Sequence, residues 1–212
     1  MVTKINGQFF GSNTYIITNN NNQALIIDAG ASVEEITKHT QGLNVVGVLL
    51  THCHFDHSYF LEQITKHFNC PAFVGGLAKP HVNSPLLTLG EAFGAPFNFP
   101  QNVTFVAEGN FNVGDFNVEC IFTPGHSADS VCFLVGSMLF CGDTLFLDAI
   151  GRTDLALSSV EDMVLSLKKL KNVKFDTALS GHGRQSSYSD QQQNIDYFAK
   201  LWLKILKYVA KH

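Results

Sequence analysis

The sequence predicts a layered α/β architecture, in which mixed or antiparallel sheets are covered by helices. Three observations carry this prediction. Apolar strand-like runs alternate with helical patterns through the first half, a series of closely spaced strand candidates follows, and helix-start signatures return toward the end. This order disfavours a doubly wound parallel sheet.

Residues 14–18 and 23–28 are short β-branched and apolar runs flanking the Asn-rich stretch 19–22, which predicts a hairpin. Ser32 with Glu35 three residues on forms a capping box that opens a short helix. Residues 45–50 are continuously apolar, the mark of a strand buried on both faces, and the polar cluster 51–57 stands at its end. Residues 58–68 read as a helix and 72–75 as a strand. From 75 to 100, Gly, Pro, Phe and Leu recur without a period, giving either a lid over a site or a packed connector. Strands are predicted at 103–107, 116–122, 130–135 and 138–141, with turns at Gly114-Asp115 and Gly136-Ser137, so this half reads as a β-meander.

Capping boxes at Ser158/Glu161 and Ser189/Gln192 start two more helices, and 177–180 is a strand ending in Gly181-His182-Gly183. In the last helix Ile195, Phe198, Trp202, Ile205 and Val209 form a core stripe, while Lys200, Lys204, Lys207 and Lys211 share a solvated face. No repeat or boundary-type linker is visible, so residues 1–212 are expected to form one domain.

With 45% hydrophobic and 15% charged residues, the chain has the profile of a core-rich protein. A formal net charge of −4 with scattered cations offers no footprint for a phosphate backbone, so no nucleic-acid partner is expected. The first fifteen residues lack a secretory pattern, and no uncharged apolar run reaches the roughly 18 residues that span a bilayer. Cys53, Cys70, Cys120, Cys132 and Cys141 are an odd set without a C-x-x-C pair. Free, buried thiols in a reducing compartment are expected, hence a cytoplasmic protein without a membrane partner.

The chemistry concentrates in Thr-His-Cys-His-Phe-Asp-His, residues 51–57. Imidazole nitrogen and carboxylate oxygen bind first-row divalent ions. In an extended segment His52 and His54 face the same side and can grip one ion, with Cys53 turned away as a bystander thiol. Asp56 and His57 are adjacent, diverge, and can serve a second ion. Thr-Pro-Gly-His126, Cys-Gly-Asp143 and Ser-Gly-His182-Gly each close a strand-like run with a small-residue turn, which lets the backbone approach an ion. His39, His67, His81 and His212 lack such partners and read as surface residues.

The H-x-H-x-D-H motif, followed by single His, Asp and His residues in that order, resembles the metallo-β-lactamase superfamily of binuclear hydrolases. The resemblance runs from about Thr14 to His182. It implies a four-layer αββα sandwich with two divalent metal ions at one edge, zinc foremost and iron or manganese as alternatives. On that resemblance His52, His54 and His126 bind one ion, Asp56, His57 and His182 the other, and Asp143 bridges them, with Asp56 and Asp143 the catalytic carboxylates. Asp28-Ala29-Gly30 is similar to the family's supporting aspartate turn, which gives Asp28 a role behind the ligands.

Two such metals hold a bridging hydroxide against a carbonyl or phosphoryl centre. Gly142 to Phe146 and Gly151 to Leu155 are similar to the glyoxalase II branch, which hydrolyses S-acyl glutathione thioesters. The resemblance implies a small-molecule thioester, S-lactoylglutathione or a related acyl thioester, with Arg152 contacting the glutathione. An ion pair between Arg152 and Asp154 is the competing expectation. Only 30 of the 212 residues follow His182, so the chain resembles the shorter, single-domain glyoxalase II-like hydrolases. The Gly-Arg-Thr-Asp stretch is also shared with persulfide dioxygenases, which use a single iron, and a lactonase could use the same metal set. A class B β-lactamase is disfavoured, since Asp143 stands where those enzymes carry Cys or no bridging carboxylate. Substrate choice is expected to rest on residues 93–99 and Arg152.

Overall fold

Val2–Asn6 (β1), Asn13–Thr18 (β2) and Gln23–Ile27 (β3) run antiparallel, and Asn44–Leu50 (β4), Ala72–Gly75 (β5) and Thr104–Val106 (β6) add parallel strands in the order β1-β2-β3-β4-β5-β6. The computed structural model describes residues 1–97 and 99–209, without the side chains of 202 and 205–209. The side chains of Trp202, Ile205, Lys207 and Val209 of the predicted helix faces, and the whole of Lys211 and His212, therefore lie outside what the structure describes.

Parallel strands need crossovers. Val33–His39 (α1) supplies one, and Phe55–Ser58 (α2) with Leu61–Phe68 (α3) supplies the next. Ser32 caps α1 as predicted, accepting the Glu35 N–H at 3.3 Å. The helix predicted over 58–68 is corrected to two pieces. Phe60 N donates to Ala29 O at 3.0 Å and His57 O accepts from Ala29 N at 2.6 Å, so backbone groups needed for a continuous helix are held by the turn after β3.

Gly109–Val113 (β7), a strand not singled out in the sequence, precedes Phe116–Phe122 (β8), Val131–Val135 (β9) and Met138–Gly142 (β10), and pairs with β8 as the first strand of the antiparallel meander that these three were predicted to form. The strand expected at 103–107 is not part of it. It pairs with β5 in the first sheet, Val74 opposite Phe105. Between β5 and β6 lie two 3-10 turns and the short helix Pro85–Thr88 (α4). Both expectations for this stretch hold in part, since Leu87 and Phe99 are buried in the core while Leu89 and Phe93 line a cavity.

After β10, Val160–Leu170 (α5) crosses to Thr177–Ser180 (β11), parallel to β10, and Ser186–Ser187 (β12) leads into Tyr188–Val209 (α6). Both later caps are displaced from their expected positions. Ser159, not Ser158, caps α5 by accepting from Asp162 N at 3.1 Å, while the Ser158 hydroxyl donates to Leu155 O at 2.7 Å in the preceding turn. At α6 Ser187 and Asp190 cap each other, Ser187 Oγ accepting from Asp190 N at 3.3 Å and Asp190 Oδ2 from Ser187 N at 2.9 Å.

Alternation along the strands sorts the apolar residues into layers. Ile17, Leu25, Ile27 and Leu49 of the first sheet meet Val118, Phe133, Phe140 and Leu179 of the second. On the outer face of the first sheet, Ile26, Val48 and Leu50 pack on Ile36 of α1 and on Leu61 and Ile64 of α3. On the outer face of the second, Cys132, Leu139 and Cys141 pack on Met163 and Leu167 of α5 and on Ile195 of α6. The result is helix, sheet, sheet, helix, the four-layer sandwich that was expected. All five cysteines are buried and unpaired, and Lys200 and Lys204 are exposed. Among the described residues no helix is long and apolar enough to cross a membrane.

Candidate metal centre

The C-terminal ends of β3, β4, β8, β10 and β11 all open on one edge of the sandwich. The loop after β4 carries His52 and His54, and α2 carries Asp56 and His57. His126 follows β8, Asp143 follows β10 and His182 follows β11. All seven sequence-predicted residues converge here. His52, His54 and His126 offer atoms within 4.8 Å of one another, as do Asp56, His57 and His182, and as do His52, His57 and Asp143. Asp143 stands between the two trios: Oδ2 is 3.6 Å from His126 Nε2 and 3.5 Å from His182 Nε2, and Oδ1 is 3.4 Å from His57 Nε2. This close approach requires glycine at 181, where a Cβ would lie 2.2 Å from Asp143 Oδ1.

The ring nitrogens are oriented from behind. Asp28, held at φ 62° and 2% exposed, accepts from Thr51 N at 2.8 Å, Thr51 Oγ1 at 2.9 Å and His57 Nδ1 at 2.9 Å. Because Thr51 gives its hydroxyl proton to Asp28, its oxygen is free to accept from His52 Nδ1 at 3.2 Å. His126 Nδ1 donates to Arg152 O at 3.0 Å. Each of these bonds puts the ring proton on Nδ1 and leaves the Nε2 lone pair aimed into the cluster.

Nitrogens therefore face nitrogens. His54 Nδ1 lies 3.0 Å from His126 Nε2, and His57 Nε2 lies 3.2 Å from His182 Nε2. Opposed lone pairs repel unless a proton or a cation stands between them. His52 Nε2 and Asp143 Oδ1 are, in addition, buried without a hydrogen-bonding partner. An unmet buried polar atom costs about 1–3 kcal/mol, which a cation would relieve. The mixed nitrogen and oxygen donor set suits borderline divalent ions, so the residues present fit two metals.

The two trios differ electrostatically. Burial opposes charge on His57, but Asp56, Asp143 and Asp28 outweigh it and bring its pKa up to about 9. Burial likewise opposes charge on His182, yet its bonds to Asp143 and Asp56 push it up to about 10. Burial, reinforced by His126, pulls His54 down to about 3. Burial would raise Asp143, but the His57 charge and the His182 bond hold it well below the usual carboxylate range. Without metal, His57 and His182 collect protons while His52 and His54 exclude them.

The family model described as Metallo-beta-lactamase superfamily matches residues 7–182. This chain belongs to the metallo-beta-lactamase superfamily. It is 31% identical over 195 residues to a probable metallo-hydrolase of Methanocaldococcus jannaschii, covering 86% of this chain and 93% of the relative. It is 32% identical to the probable metallo-hydrolase YqgX of Bacillus subtilis, covering 86% and 90%. Among solved structures it is similar to BLEG-1, a B3 metallo-beta-lactamase (TM-score 0.85, 26% identity, 93% of this chain and 99% of that one). It is also similar to TTHA1623 in a di-iron-bound form (TM-score 0.79, 26% identity, 91% and 98%).

In this member of the superfamily the cavity beside the donors has a volume of about 410 Å³. Phe10, Phe55, Leu89, Phe93 and Leu155 line it together with site residues and Arg152. Of the described residues in the stretch 93–99, Phe93 is the one that lines this cavity. Phe99 is 5% exposed in the core, and Phe97 packs on Tyr59 at 5.5 Å between ring centroids. Arg152 adopts the competing geometry, a bidentate pair with Asp154 at 2.6 and 2.8 Å.

Sequence reasoning passed over several supports. Asn13 Nδ2 donates to Ser180 O at 2.9 Å and Tyr15 OH to the same carbonyl at 2.7 Å, which fixes the loop bearing His182. Asp129, 1% exposed, accepts from Cys53 N at 2.8 Å and so anchors the peptide between His52 and His54. The available signal was an acidic residue, in Ser-Ala-Asp-Ser, directly before a strand of the core.

Proposed function

We propose that the protein is a binuclear metal-dependent hydrolase acting on thioesters. The observation that carries this reading is Asp143, whose carboxylate lies between two trios of oriented donors. His52, His54 and His126 would hold one ion and Asp56, His57 and His182 the other, with Asp143 shared. When bound, two divalent cations supply Lewis acidity that activates water and polarises a carbonyl. Zinc is the first expectation, and the di-iron form of TTHA1623 supports iron as an alternative.

The chain's own residues orient this chemistry. Asp28, Thr51 and the Arg152 carbonyl hold His57, His52 and His126 in the tautomer that points Nε2 inward. Among the described residues lining the cavity, every His and Asp belongs to the donor set, leaving no separate general acid. A thiolate departs without protonation, so a thioester suits this site better than an amide or an alkyl ester. The reading takes the chain as one domain acting on a small molecule in the cytoplasm, in keeping with five buried free thiols.

The likeness to BLEG-1 favours a β-lactam as a second substrate class to test. Metal-restored protein should turn over a simple acyl thioester, and His54→Ala and Asp143→Ala should reduce this to background. Turnover of a chromogenic cephalosporin but no thioester would replace the reading with a β-lactamase. Oxygen uptake on glutathione persulfide without thioester turnover would replace it with a dioxygenase.

A further inference from the structure

Phe10 and Phe93 are 65% and 47% exposed, an unusual state for large apolar side chains. They are not scattered. Phe10 packs edge-on against Phe55 at 5.5 Å and against Phe93 at 5.4 Å, and Phe55 stacks on Phe93 at 5.7 Å. Phe55 directly precedes Asp56, so this aromatic wall rises from the Asp56 trio itself. Leu89 and Leu155 extend the apolar lining. Phe10 is held in place by a turn in which its own φ is 52°, and Phe9 packs behind Phe55 at 5.3 Å. Among the described residues of the lining the single Lys or Arg side chain, Arg152, is engaged by Asp154. Arg184 lies on the far side of His182, in a neighbouring groove with Phe146 and Asp148 that meets the cavity only through His182 among the described residues.

Resting on the thioesterase reading, we propose that the substrate carries an uncharged apolar substituent beside the scissile bond, seated on Phe10, Phe55 and Phe93. A peptide thiol such as glutathione brings two carboxylates, and among the described residues the lining offers no Lys or Arg outside an ion pair to meet them. A cavity of about 410 Å³ lies at the small end of ligand sites and suits a short alkyl chain or one aryl ring. Full burial of a methylene is worth about 0.8 kcal/mol, nearly fourfold in binding, and a wall open on one side should return about half of that free energy.

The test uses metal-loaded full-length protein and two substrate ladders. One varies the acyl group from acetyl to hexanoyl on N-acetylcysteamine. The other varies an S-alkyl group from ethyl to hexyl on a constant acetyl, with S-lactoylglutathione and S-hexanoylglutathione as charged comparisons. In one ladder kcat/KM should climb by about twofold per methylene. The ladder that climbs identifies which side of the thioester meets the wall. Phe93→Ala and Phe10→Ala should flatten that slope, and glutathione should give no gain over N-acetylcysteamine. Flat ladders, or a preference of tenfold or more for S-lactoylglutathione, would overturn the inference while leaving the thioesterase reading intact. Absence of turnover on every thioester would instead sink the underlying reading.

Discussion

Replacing Asp28 by Asn removes one charge and almost no volume, yet it should disable the centre through a proton. The carboxylate accepts three hydrogen bonds, from Thr51 N, Thr51 Oγ1 and His57 Nδ1. Asparagine has one accepting oxygen, and its NH₂ group is a donor. If the oxygen keeps Thr51, the NH₂ faces His57, whose Nδ1 must then accept, moving the ring proton to Nε2. That nitrogen lies 3.4 Å from both Asp56 Oδ2 and Asp143 Oδ1, where a metal needs a lone pair. Loss of such a support typically costs 10–100-fold in metal affinity, about 1.4–2.7 kcal/mol. Thr51 links Asp28 to His52 as well, so both trios should weaken, the Asp56 trio more. Competition with a chromophoric chelator would measure both affinities, with circular dichroism as the check on folding. Two ions bound within twofold of the parent affinity would refute the tautomer argument.

Gly181→Ala places a methyl 2.2 Å from Asp143 Oδ1 and should push that carboxylate by about 1 Å, costing on the order of 100-fold in turnover with the far-ultraviolet spectrum unchanged. In the metal-free protein His57 and His182 have pKa values of about 9 and about 10, above the unfolded value of about 6.5. The folded state then binds more protons, so their contribution to stability is fully present below about pH 6.5 and is lost as pH rises through 9 to 10. Melting temperature of the metal-free protein should fall between pH 6.5 and 8.5 while the increment from added zinc grows, and the opposite trends would contradict the assignment. Asp129→Ala should cost about 1–3 kcal/mol in chemical denaturation by orphaning the Cys53 amide, whereas Asp129→Asn, which keeps an acceptor, should stay near the parent.

The metal candidates were legible because each follows an apolar strand and sits in a small-residue turn, a pattern that records position along the chain and chemistry together. The strand of residues 45–50 and the meander from 116 onward stood out for the same reason, with continuous burial leaving continuous apolar runs. What stayed hidden depends on partners far away in the chain. β1 alternates too weakly to stand out, with only Ile5 of its five residues buried. β6 belongs with β5 through a long connector that carries no period. The break at Tyr59 and Phe60 arises because Ala29 takes the helix's backbone partners. Phe10 could not be linked to Phe93 by spacing, since the two stand 83 positions apart, 93 minus 10. The support from Asp28 was legible in the Asp-Ala-Gly turn, but its reach through Thr51 to His52 needed the side-chain geometry.

The most direct measurement is a titration of metal-free protein with zinc or iron, following bound metal and thioester hydrolysis in the same samples. The predicted result is activity that rises to a plateau at two equivalents per chain, with Asp143→Ala failing to reach it. Full activity at one equivalent, or two bound ions with no hydrolysis of any thioester, would contradict a binuclear thioesterase.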